Sequence, residues 1–288
     1  MLSNRLSISS WSLHRCMGPL RWTIWNEDTQ AQETAIQEQP MEFELIELPR
    51  LAAARGLTHL ELCHFHFPAR DEAYLTQLRH SFEAARVIFH TLLVDYGDIS
   101  SPNPIRRESD INYLKGWIET AHKAGASAIR IVAGEQPAED EASIARSIEA
   151  LNRLRDYAAS KKVAIVTENF RSLTSTVRSW SSVVTGEAHS FGTIVDFGNF
   201  APHEKEEGIR YGAPLAHSIH AKPVYSSDDE VNEEEFCHLL TILTETKCTA
   251  PISIIFDREG NMWDGIERIQ KIIKRFDQAA VKVQTTIS

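Results

Sequence analysis

Four short apolar runs in the second half of the chain each end on a side chain able to bind a metal. They are Val163-Ala-Ile-Val-Thr-Glu168, Thr193-Ile-Val-Asp196, Ser218-Ile-His220 and Ile252-Ser-Ile-Ile-Phe-Asp257. One Glu, two Asp and one His suit a divalent cation in mostly oxygen coordination. Any one of these endings has a bland explanation. Glu168 could be solvated just past its strand, Asp196 could close an Asx turn before Gly198, and Asp257 could be a loop carboxylate before Arg258 and Glu259. An isolated buried carboxylate is costly, and its recurrence on successive runs argues for a shared site. Strand alternation puts Ser218, His220 and Lys222 on one face and His217 and Ile219 on the other.

The first half adds candidates for substrate contact. Trp11, Ser12 and His14 follow the first apolar run, Glu61 lies within the second, and His64 and His66 come directly after it. Asp95 and Tyr96 follow the third run, and Glu135 the fourth. With Asn199 and Arg258, the residues His14, Glu61, His64 and Glu135 form the expected substrate-binding set. For His64 and His66, aromatic packing with Phe65 and Phe67 is an equal alternative.

These residues need a scaffold that gathers strand ends. The apolar patterning predicts strands near 6–10, 58–63, 87–94, 128–132 and 163–168, then strands ending near Asp196, Lys222 and Asp257. Between them it predicts helices near 43–55, 72–85, 109–125 and 139–160, one ending near Val184, and others near 204–213, 232–246 and 262–279. Gly56 stops the first helix, whereas Pro49 inside it marks either an interruption or the true first turn. Eight strand–helix pairs predict an α/β fold, a single-domain (β/α)8 TIM barrel over residues 1–288, with its chemistry at the C-terminal ends of the strands. Residues 15–41, with Trp22 and Trp25, form a long polar loop after strand 1, expected to cap the mouth or a neighbouring subunit.

Composition narrows the partners. The 288-residue chain is 42% hydrophobic and carries a formal net charge of -10, so a nucleic-acid partner is not expected. No apolar stretch is long enough to span a bilayer, and the first ten residues lack a signal-peptide core. Cys16, Cys63, Cys237 and Cys248 form no CxxC pair, which suggests free thiols in a reducing cytoplasm. No Gly-rich nucleotide loop is present.

Three segments, Val166-Thr-Glu168-Asn169, Val195-Asp196-Phe-Gly-Asn199 and Ile219-His220-Ala-Lys222, carry a resemblance to the xylose-isomerase-like TIM barrels. That group holds sugar isomerases, epimerases and endonuclease IV. Ser9-Ser-Trp-Ser-Leu-His14 and Gly56-Leu-Thr-His-Leu-Glu61 also look like the family's first two strands. The resemblance implies that Glu168, Asp196 and His220 are metal ligands. It also implies a fourth ligand, a Glu near the end of strand 8, where this chain has Ile255. Asp257, two residues on and on the same face, is the candidate replacement.

The expected activity is a divalent-metal-dependent sugar or keto-sugar isomerase or epimerase, or a related dehydratase, acting through an enediolate-type intermediate. Mn²⁺, Mg²⁺ or Co²⁺ is the expected metal, with Zn²⁺ a further candidate. Glu168 would act as ligand and base, and Lys222 would stabilise the oxyanion. A non-phosphorylated sugar or polyol is the expected ligand, since no Gly-rich phosphate cup follows strands 7 and 8. Association into homo-oligomers is expected of such barrels.

Two other readings stand beside this one. The loss of the strand 8 Glu suggests a non-catalytic sugar-binding or regulatory barrel. An AP-site nuclease is disfavoured, because the nuclease branch has a His where Asn199 stands and an Asp-x-His pair where residues 223–235 offer Asp228 and Asp229 but no His.

Overall fold

A computed structural model describes residues 1–227 and 230–287; Asp228 and Asp229 lie outside the described residues. Eight parallel strands close into a barrel: β1 (Leu6–Ser9), β2 (His59–Cys63), β3 (Ile88–Val94), β4 (Ala128–Ile131), β5 (Ala164–Glu168), β6 (Gly192–Asp196), β7 (Ala216–Ala221) and β8 (Ile252–Ile254). Each strand pairs with its sequence neighbours, and β8 closes on β1 with Leu6 opposite Ile252.

The helices are α1 (Leu48–Ala53), α2 (Glu72–Ala85), α3 (Pro104–Ala124), α4 (Glu141–Ala159), α5 (Val177–Val184), α6 (Lys205–Gly212), α7 (Glu233–Glu245) and α8 (Met262–Ile287). Pro49 opens α1 behind a separate 3-10 turn, Leu45–Glu47, because its missing N–H costs nothing in the first helical turn. α3 starts five residues before the expected 109. Asn103 accepts the free N–H groups of Ile105 and Arg106 and Pro104 supplies the first turn, an entry signal hidden by the polar Arg-Arg-Glu-Ser stretch that follows. Among the described residues no helix is long and apolar enough to cross a membrane.

The main core lies between sheet and helices, around Trp180, Phe197 and Phe236. A second, smaller apolar cluster fills the barrel interior: Leu20, Cys63, Phe65, Leu93, Ala128, Val166 and Ile194. The remaining buried interior is polar, with Ser7, Ser9, Glu61, Thr91, Arg130, Ser218 and Ser253. Large branched apolar side chains normally fill such a barrel. Here they are replaced where the site needs charge.

Residues 15–41 are not a loop. Leu20–Asn26 and Ala31–Gln37 pair antiparallel, with Leu20 opposite Gln37 and Asn26 opposite Ala31. One face is pinned to α3: Thr23 Oγ1 lies 2.6 Å from the Tyr113 hydroxyl, and Gln32 Nε2 donates to Ser109 Oγ and Asp110 Oδ1, both at 3.0 Å. The polar composition that disguised the ribbon is what lets it lie across the surface.

Two β-bulges shape the interior. The register slips between Leu60 and Glu61 opposite β3, and between Thr193 and Ile194 opposite β7. The bulged residues are His90 and His217, on strands diametrically opposed in the barrel. Their rings stack at 4.1 Å across its interior, and His90 Nε2 donates to the His217 carbonyl at 2.9 Å. His217 therefore does not face away from His220, as strict alternation predicted. A bulge re-aims a side chain.

Candidate active site

Above that histidine pair, at the C-terminal ends of the strands, a cavity of about 310 Å³ opens. Ser9, Trp11, Cys63, Asp95, Arg130, Glu168, Asp196, Asn199, His220, Lys222, Ile255 and Asp257 line it, together with Phe170, Arg171 and the hairpin's Trp22.

Glu168 ends β5, Asp196 ends β6 and His220 is the penultimate residue of β7. One ligand atom from each lies within 4.8 Å of the other two, and all three residues are buried. His220 Nδ1 is 3.2 Å from Glu168 Oε1 and 3.5 Å from Asp196 Oδ2. On the far side of the ring, His220 Nε2 donates to Glu61 Oε2 at 2.8 Å. That bond points the Nε2 proton at Glu61 and turns Nδ1 toward the two carboxylates, so Nδ1 is the nitrogen a cation would take in exchange for its proton.

Asp196 is held from three directions. Its N–H donates to Asn169 Oδ1 at 2.8 Å, its carbonyl accepts from Asn169 Nδ2 at 2.9 Å, and its Oδ1 accepts from the Gly198 N–H at 2.6 Å. Oδ2 is left to face the site. Gly198 leaves room here: a Cβ would lie 2.7 Å from Lys222 Cδ and 3.2 Å from Asp196 Oδ1, so a larger residue would displace the lysine side chain. Glu168 Oε2 is buried and accepts no hydrogen bond, although Arg130 Nε stands 3.1 Å away in ion-pair contact. Glu168 Oε1, the free Asp196 Oδ2 and His220 Nδ1 converge and fit a divalent cation, and carboxylate–imidazole donors of this kind suit Mn²⁺, Mg²⁺, Co²⁺ or Zn²⁺.

Burial alone would lower the His220 pKa, but the carboxylates of Glu61, Glu168 and Asp196 raise it well above the ordinary value. Glu61 is fully buried. Burial opposes its charge, yet the adjacent His220 brings its carboxyl down to about 2. Burial pushes the Cys63 thiol up to about 12, so a thiolate nucleophile is not available at neutral pH.

Other expected site residues are distributed differently. Asn199 and Lys222 line the cavity. Asp257 also lines it, but its Oδ2 holds Lys222 Nζ at 2.6 Å and it stands outside the three-residue metal group. Glu61 does not reach the cavity; it acts on His220 from behind. His64 is buried beneath the hairpin, where its Nδ1 accepts the Asp95 N–H at 3.2 Å. His14 stacks on Trp11 at 4.0 Å and supports the cavity wall from outside. Glu135 lines a neighbouring groove, and Arg258 lies over the Tyr225 ring at 5.2 Å. For all of these, residence near a strand end did not fix the direction of the side chain.

Arg130 was missed. It sits in β4, 3% exposed, bound to Asp95 and facing Glu168. Burial works against its charge, but the two carboxylates keep the guanidinium protonated. The signal was present in Ala128-Ile-Arg-Ile131, where an arginine interrupts a strand apolar on both sides. Phe170 and Arg171, just beyond Glu168, were missed as well.

Comparison with known proteins places the chain. No curated protein matches it in sequence. Among solved structures, L-ribulose 3-epimerase superposes with a TM-score of 0.70 at 14% identity, covering 99% of this chain and 98% of that one. A probable 3-DHS dehydratase from Bacillus anthracis gives 0.69 at 14% identity, over 94% and 98% of the two chains. A 3-keto-D-glucoside 4-epimerase from E. coli gives 0.60 at 12% identity, over 81% and 94%. At these identities the likeness is one of fold. The family model for the xylose isomerase-like TIM barrel matches residues 49–278, and the chain belongs to that family.

Proposed function

We propose that the protein is a divalent-metal-dependent enzyme acting on a small sugar, keto-sugar or related polyol by proton abstraction beside a carbonyl. The observation that carries this reading is the convergence of Glu168, Asp196 and His220, with the His220 ring orientation fixed by Glu61. A bound cation would supply Lewis acidity toward adjacent hydroxyl and carbonyl oxygens.

The chain's own groups supply the remainder. Glu168 Oε2, free of hydrogen bonds, is the base for a carbon-bound proton. Arg130 beside it keeps the carboxylate from being a lone buried charge. Lys222, paired with Asp257, is held as an ammonium and donates to the oxygen that gains charge. Trp11, Trp22 and Phe170 exclude water from the walls. With Ile255 lining one side, a second carboxylate base on that side is missing. This favours one-base chemistry, isomerisation or dehydration, over two-base epimerisation.

The test is metal analysis followed by turnover. Protein purified without chelator should take up one Mn²⁺ per chain, and Glu168→Gln should abolish turnover in a panel of keto-sugars and keto-acids. No stoichiometric metal, or an active Glu168→Gln variant, defeats the reading. The second reading, a barrel that binds a sugar without turning it over, is favoured by the same Ile255 and by the engagement of Asp257 with Lys222. Metal and ligand binding without turnover across the panel would support it.

A further inference from the structure

The cavity's three basic side chains are not equivalent. Arg130 is held by Asp95 and Glu168, and Lys222 by Asp257. Arg171 is exposed at the rim, and no carboxylate among the described residues lies within 4.0 Å of it. Its contact is with the Phe170 ring, 4.9 Å from its Cζ; the Arg130 guanidinium lies at the same distance from that ring.

The backbone at Arg171 has φ 70° and ψ 177°, a conformation costly for any residue with a Cβ. The loop is fixed in this bend by Thr174, whose hydroxyl donates to the Glu168 carbonyl at 2.9 Å and accepts the Phe170 N–H at 3.1 Å. The bend therefore places a guanidinium without a carboxylate partner at the mouth of the cavity that holds the proposed metal group.

Charge in the cavity does not oppose an anion. Four carboxylates line it (Asp95, Glu168, Asp196 and Asp257) against three basic groups, which with a neutral, metal-bound His220 is minus one; the divalent cation makes the lining plus one. Counting Glu61 behind His220 brings the loaded site to zero. At about 310 Å³ the cavity is at the small end for ligand pockets and suits a molecule of about six carbons.

We propose that the substrate is an anionic polyhydroxy acid, a sugar acid or keto-acid, whose carboxylate pairs with Arg171 across the edge of Phe170 while its hydroxyl and carbonyl oxygens reach the metal group. This rests on the metal-dependent reading above. Arg171 is the specificity-determining residue, because a planar guanidinium matches a carboxylate with two parallel hydrogen bonds.

The test titrates Mn²⁺-loaded protein with D-gluconate and with D-glucitol, which share a six-carbon polyol chain and differ in one end group. Gluconate should bind about tenfold tighter or more, as expected for charge-assisted hydrogen bonds. Because gluconate can also chelate the metal directly, Arg171→Gln decides the cause. The variant should keep its Mn²⁺ stoichiometry and lose most of the preference, and Arg171→Lys should retain part of it. Equal binding of the two probes, no gluconate binding, or a preference that survives Arg171→Gln overturns this inference while leaving the metal reading intact. Failure to bind Mn²⁺ overturns both.

Discussion

His220 and His217 stand three residues apart on β7, and both project into the barrel. His220 faces three carboxylates, which override burial and raise its pKa well above the ordinary value. His217 stacks on His90; burial first, and then the neighbouring imidazole, bring it down to about 4 despite the field of Glu61. Its Nε2 is buried without a hydrogen-bond partner. One strand thus carries a histidine set among carboxylates and a histidine serving as a flat filler against another ring. Residue type and strand are the same, so the difference comes from how many carboxylates each ring meets.

The most damaging change should fall on the upper histidine. His220→Ala should weaken Mn²⁺ binding by more than about a hundredfold, beyond the loss typical of an outer partner, and abolish turnover. His217→Phe should leave Mn²⁺ affinity within about twofold. Similar losses in isothermal titration would end the distinction between the two rings. Next comes Glu61→Gln. It leaves an acceptor for Nε2–H but removes the charge, and should cost about 10- to 100-fold in Mn²⁺ affinity with the circular dichroism spectrum unchanged. Unaltered affinity would mean that Glu61 does not prepare His220.

Asp257→Asn separates the site's two carboxylate roles. Mn²⁺ affinity should hold within about threefold while kcat falls about tenfold, less than the roughly hundredfold or more that a positioned proton donor contributes, because Lys222 itself remains. A large loss of metal instead would make Asp257 a ligand.

The smallest effect concerns acid. His64 and His217 are lowered to about 4 and His66 to about 3, burial leading in each case. Unfolded imidazoles take up protons near pH 6.5 and these folded ones do not, so stability falls as pH drops from about 6.5 toward 4. His217→Phe removes one such group while keeping a ring against His90. Urea unfolding should show its acid loss reduced by about 1 kcal/mol over that window, less than the full shift implies because His217 is partly exposed. A steeper acid loss in the variant would contradict a neutral His217.

The convergence of Glu168, Asp196 and His220 was legible in the sequence because three strands break an apolar run with a ligand-type residue at their ends. Arg130 obeyed the same logic inside a strand and could have been found by it. His217 could not, since a bulge leaves no mark in a pattern read with period two. The Lys222–Asp257 pair joins the loops after two strands, and no spacing along the chain encodes it. The hairpin escaped because its second strand, Ala31–Gln37, is mostly polar and exposed, so the alternation of Leu20, Trp22 and Ile24 in the first strand had no apolar partner strand to match.

That hairpin also gives the protein an internal optical probe. Trp22 hangs from it against Phe65 at 4.3 Å and near Trp11 at 6.4 Å, and both indoles form cavity wall. A two-stranded ribbon holds its shape only through what it packs on, so the fluorescence of these two indoles responds to the ribbon's seating as well as to the cavity's contents. Paramagnetic Mn²⁺ or Co²⁺ seated nearby would quench emission that Mg²⁺ leaves bright, allowing loading and ribbon movement to be followed without a label.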